Sequence, residues 1–179
     1  MSLKQGTVIL KLEKLDCNEV NKLTQKRALT MVQFQPKTQT KTKVSSLPDG
    51  NYRYVTASTP ITDAELAQTE SLIFLFRKKG NDIIGQLSQA NSSNSICISG
   101  QVNGNTITGA AVELSEPFDE AILRNCGEDF VVWDVAGSLR VRRGRKEGKK
   151  VIYKSAIFDL NGYNRINAGT QFPPASCPF

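Results

Sequence analysis

Residues 72–114 read LIFLFRKKGNDIIGQLSQANSSNSICISGQVNGNTITGAAVEL, and this stretch decides the fold class. Leu72–Lys78, Asp82–Ser88, Ser95–Val102 and Asn105–Leu114 are runs rich in β-branched and aromatic residues. Turn chemistry separates them: Lys79-Gly80-Asn81, then Ala90–Asn94, then Asn103-Gly104. Asn-Gly between two β-branched runs is the strongest short hairpin signal. The stretch therefore predicts a four-stranded antiparallel meander. Three runs carry glycine two residues after isoleucine, at Gly85, Gly100 and Gly109. Glycine inside a strand marks a bulge, a bend or a close approach. In neighbouring strands it predicts a sheet curling toward a barrel. Leu72–Phe76 is apolar on both alternations, so one side fills the interior and the other needs a cover from helix, tail or partner.

Working outward, Pro48-Asp49-Gly50 is a turn signal, and Asn51–Ala57 alternates as a strand until Pro60. Thr62-Asp-Ala-Glu65 matches a capping box, so Asp63–Gln68 reads either as a short helix or as a polar loop. Ser115–Gly127 predicts a second short helix, with Pro117 in its first turn and Gly127 as its C-terminal cap. Phe130–Val135 and Ser138–Arg143 read as strands joined at Ala136-Gly137, and Lys150–Leu160 as a last long strand. Gly144–Gly148 reads as a basic loop, and Asn161–Phe179 as a tail without periodicity. Residues 1–46 read as an N-terminal extension and polar linker. Within them Thr7–Leu12 suggests a strand, Asn18–Met31 a helix and Gln35–Ser46 a linker. The expected architecture is all-β with one or two short helices. An antiparallel, barrel-like sheet of about eight strands, of lipocalin or calycin type, occupies residues 47–179.

The whole chain has 179 residues, 39% hydrophobic and 22% charged, with no apolar run long enough to span a membrane as a helix. It contains no histidine. That removes Ser–His–Asp and Cys–His nucleophiles, His-ligated zinc and histidine acid–base chemistry. Neither a metal-ligand spacing nor a cofactor motif occurs, and the expectation is a protein that is not an enzyme. The net charge of +6 is local: Arg140–Lys150 holds seven basic residues and one acidic. The cysteines are Cys17, Cys97, Cys126 and Cys177, with no CxxC pair. They fit either disulfides in an oxidising compartment or buried thiols in a cytosolic one. The first residues lack the apolar core of a signal peptide, so the chain is either cytoplasmic or a mature form whose leader was removed.

Two sets of residues compete as a binding site. Tyr52, Tyr54, Phe74, Phe76 and Trp133 line a barrel interior for a small apolar ligand, or simply fill it. Arg140, Arg142, Arg143, Arg145, Lys146, Lys149 and Lys150 bind a polyanion (nucleic acid, anionic lipid or polysaccharide), or form a solvated hairpin. Glu116, Asp119, Glu120, Glu128 and Asp129 are better read as helix-terminal and surface charge than as a catalytic or calcium-binding set. Asn91-Ser-Ser93 matches a glycosylation sequon, which matters only in a eukaryotic secretory context.

LPDGNYRY, LIFLFRKKGNDIIGQL, ICISGQVNGNTITG and the tail NRINAGTQFPPASC together resemble a family of small, uncharacterised cyanobacterial proteins. The resemblance covers about Leu47 to Cys177. It implies an exported, β-rich, lipocalin-like domain with Cys97 and Cys177 as disulfide partners, and Cys126 remains a further candidate. It implies no catalytic residues. This chain departs from the family in lacking an evident leader. The expected role is a non-enzymatic binding or envelope-associated protein holding a small apolar ligand or a protein partner. The alternative is a polyanion-binding module.

Overall fold

The computed structural model describes residues 42–114 and 129–179. The expected elements at 7–12, 18–31 and 115–127, together with Cys17 and Cys126, lie outside the described residues. Nine strands form one sheet: β1 (Gly50–Val55), β2 (Leu72–Lys79), β3 (Asp82–Gln89), β4 (Ser95–Asn103), β5 (Thr106–Glu113), β6 (Val131–Val132), β7 (Leu139–Glu147), β8 (Lys150–Asp159) and β9 (Asn164–Ile166). A one-turn helix, α1 (Asp63–Leu66), follows β1. The strand order is β6-β7-β8-β5-β4-β3-β2-β1-β9, and every neighbouring pair is antiparallel.

The meander β2–β5 follows its turn chemistry. Gly80 and Gly104 take φ +58° and +62°, which suits the two-residue turns Gly80-Asn81 and Gly104-Asn105. The capping box is also present. The Thr62 N–H donates to Glu65 Oε2 at 2.8 Å, and the Glu65 N–H donates back to Thr62 Oγ1 at 3.2 Å. The hydrogen bonds from Thr62 hold the Glu65 carboxyl below the usual carboxylate range. Arg53, buried on β1, forms an ion pair with Asp63 at 2.6 Å and ties the helix to the strand.

The strand glycines explain the curvature. Gly100 and Gly109 face each other across β4 and β5. A Cβ on Gly100 would lie 2.2 Å from the Thr108 carbonyl oxygen, and one on Gly109 would lie 2.0 Å from that of Ser99. Only glycine permits so close an approach. A Cβ on Gly85 would meet the Phe74 ring at 2.7 Å. The resulting curl is large. Phe74 on β2 and Phe158 on β8 are separated by three strands, so a flat sheet would hold them about 19 Å apart. Their ring centroids are 4.7 Å apart.

The sheet is nonetheless not closed into a barrel, contrary to expectation. Its edge strands, β6 and β9, have two and three residues, and no ladder joins them. Side chains meet there instead. Ser138 Oγ donates to Asp134 Oδ2 at 3.0 Å and lies 2.8 Å from the Tyr163 hydroxyl. The buried Asp134 carboxylate also accepts from the Ala136, Ser138 and Leu139 N–H groups. This network shapes the β6–β7 turn and touches the chain just before β9.

Three local expectations are corrected. Gly144–Glu147 is strand rather than loop, because it pairs with β8 as far as Glu147–Lys150. Phe130–Val135 is strand only at Val131–Val132. The tail is not wholly irregular, since Asn164–Ile166 pairs with β1. At the other boundary Val44 and Leu47 both belong to the core.

The cover for the outer face comes in part from the tail. Alternation along the strands puts Ile73, Leu75, Arg77, Cys97 and Lys150 on the face opposite the aromatic core. There Cys97 and Cys177 form a disulfide, with sulfurs 2.09 Å apart. Arg77 donates to the Ala175 carbonyl at 2.8 Å, and Lys150 to that of Pro178 at 2.9 Å. Residues 167–179 thus cross from the β9 edge to β8. That path is about 29 Å along the sheet and well within an extended reach of about 43 Å.

Candidate functional site

Tyr52, Tyr54, Phe74 and Phe76 do converge on the concave face. Tyr52 stacks on Phe76 with centroids 5.5 Å apart, Tyr54 lies 5.5 Å from Phe76, and Phe74 lies 4.9 Å from Phe76. The series continues through Phe158 to Tyr163, which meet edge to face at 5.6 Å. The rings are buried against one another, and Phe74 and Phe76 are 0% exposed. Trp133 is half-buried against the same core, but beside β6, at the far edge of the sheet from β1. Sequence reasoning missed Phe158 and Tyr163 as members of this cluster. Phe158 carried a signal, as an alternating residue of the last strand. Tyr163 carried none, because its neighbours have no period.

Two polar groups accompany the aromatic face. Tyr153 donates to the buried Glu113 carboxylate at 2.9 Å, and Lys78 donates to the Gly80 carbonyl. Burial pushes the Tyr163 hydroxyl far above its ordinary pKa of 10.0, and the hydrogen bond with Ser138 only partly opposes it. Burial also raises Tyr54, against the opposing charge of Arg165. Among the described residues no group of three or more Cys, Asp or Glu is placed to hold a metal ion.

The seven basic candidates all fall on the β7–β8 hairpin, but not on one surface. Arg145 and Lys146 are successive strand residues and point to opposite faces. Arg143 adopts φ +56° beside the point where β8 carries a bulge opposite Ala110. Arg142 lies over the Phe130 ring, 4.5 Å from its centroid. Arg145 pairs with Glu147, and Lys150 reaches both Glu147 at 4.0 Å and Pro178. Arg140, Arg143, Arg145, Lys146 and Lys149 are exposed.

A further site lies at the β1–β9 edge. A half-open cleft of about 510 Å³ is lined by Asn51, Tyr52, Arg165, Ile166, Asn167 and Ala168. The Arg165 guanidinium lies 4.8 Å from the Tyr52 ring centroid. Tyr52 is itself fixed, because its hydroxyl donates to the Pro48 carbonyl at 2.7 Å. Sequence reasoning passed over Arg165, a lone cation in an aperiodic tail.

No known protein family, curated protein or solved structure matches this chain. No helix among the described residues is long and apolar enough to cross a membrane.

Proposed function

We propose that this protein is a non-enzymatic binding protein of an oxidising, extracytoplasmic compartment, associated with the cell envelope. It engages its ligand or partner at the surface. The observation that carries the reading is the tail held across the sheet by Cys97–Cys177. Such a staple persists where thiols are not kept reduced. The lack of histidine supports a non-enzymatic role. A lipocalin-like version, with an apolar ligand among Tyr52, Tyr54, Phe74, Phe76 and Trp133, has less support. It requires the Phe74–Phe158 contact to open.

The test is the intact mass of the protein as isolated from its own source, before and after reduction and alkylation. The expected result is a loss of two hydrogens per disulfide, with the Cys97 and Cys177 peptides linked. Four free thiols overturn the compartment. Extra mass released as an apolar molecule returns the interior to consideration.

A second reading is polyanion binding. It is favoured by the exposed cations toward the tip of the β7–β8 hairpin, Arg143, Arg145, Lys146 and Lys149. Clustered cations bind phosphate or sulfate chains by releasing counterions, so that affinity is salt-sensitive.

A further inference from the structure

Arg165 is an exposed cation at a cleft, and no carboxylate among the described residues pairs with it. Its guanidinium lies over the Tyr52 ring, 4.8 Å from the centroid, and both residues line the cleft, where a guanidinium can offer a fork of N–H donors. Tyr52 cannot swing away without losing its bond to Pro48. The surrounding groups extend the donor character. Asn167 Oδ1 accepts the Gly169 N–H at 3.0 Å, which leaves its NH₂ group to donate. Asn51 brings a second amide to the same cleft, while Ile166 and Ala168 supply a short apolar wall. A site with several donors and one fixed cation matches a group that only accepts hydrogen bonds and carries a single negative charge. An ionised carboxylate is that group, and its two oxygens fit the guanidinium fork. A cleft of about 510 Å³ admits a small molecule or the end of a chain.

We propose that this cleft is a carboxylate-binding site with Arg165 as its anchor. The proposal rests on the surface-binding reading above and names the ligand class. Two sources share the chemistry: the C-terminus of a peptide and an acidic sugar.

The experiment uses the full chain and calorimetric titration with four probes. These are a short peptide with a free C-terminus, the same peptide amidated, glucuronate, and its methyl ester. The expected result is that one free acid binds and its neutral counterpart binds at least tenfold more weakly. Arg165→Met, whose side chain still covers Tyr52, loses the same factor, and Arg165→Lys recovers only part of it. Binding by the peptide acid identifies a chain end, and binding by glucuronate identifies a sugar acid. The site is overturned if neither acid binds at millimolar concentration, if acid and neutral forms bind equally, or if Arg165→Met binds as tightly as the parent. A disulfide-bonded protein that binds no probe overturns this site alone, whereas four free thiols overturn the extracytoplasmic reading whatever the cleft holds.

Discussion

Gly100 and Gly109 show what a single residue decides here. Each lies so close to the opposing backbone that a methyl group collides with a carbonyl. Gly100→Ala should therefore lower the stability by about 1–3 kcal/mol, the usual cost of forcing atoms into a filled site. The midpoint of urea unfolding measures it. An unchanged midpoint would show that the strands can separate without loss. These glycines were legible in the sequence as a repeated Ile-x-Gly pattern. Arg165 and Tyr163 were not. Their roles depend on Tyr52, Phe158 and Ser138, which lie close only after folding.

At the scale of elements, β2–β5 were legible because each strand announces itself locally, by alternation and by turns with glycine at positive φ. The β7–β8 hairpin was legible in its two strands but not in its length, for the opposite reason. Charge makes Gly144–Glu147 look like a loop, but pairing with Val151 and Ile152 extends the ladder through it. The three-residue β9 has no pattern of its own and exists because β1 offers an edge. The hairpin also carries a prediction. Replacing Arg142, Arg143, Arg145 and Lys146 with alanine should move elution from a heparin column to lower salt if the hairpin binds polyanions. It should also flatten the dependence of affinity on salt by roughly one unit of slope per lost contact. Identical elution removes the second reading.

Across the whole molecule, the tail and the curled sheet stabilise each other. The Cys97–Cys177 link joins residues 80 apart. In the chain-entropy model, removing a staple of that span costs about 4 kcal/mol. Cys97→Ser should lower the melting temperature. It should also raise hydrogen exchange in residues 167–179 before it does so in β2–β5. Uniform exchange across both regions would mean that the tail is not a separate strap. Alkaline pH tests the aromatic face. Tyr54 and Tyr163 have pKa values raised above 10.0 by burial. In the unfolded chain they ionise near the ordinary value, so their contribution is complete below about pH 10 and is lost as pH rises beyond it. The urea midpoint should fall above that pH, and Tyr163→Phe should make the fall shallower. An unaltered pH profile in Tyr163→Phe would remove Tyr163 as its source.

An antiparallel β-sheet with a central meander, the residues of a capping box and glycines placed for curvature were all legible along the chain. Each of these is written in residues close together along the chain. No local pattern pairs Cys97 with Cys177, which lie 80 residues apart and meet on the folded sheet. Tertiary structure alone decided that the sheet stays open. Closure depends on whether two distant edges can form a ladder, and edges of two and three residues meet through Ser138 and Tyr163 instead. Tertiary structure also filled the interior with stacked rings and left a polar cleft at the rim. Both follow from which faces meet when the sheet curls, and no local period records that.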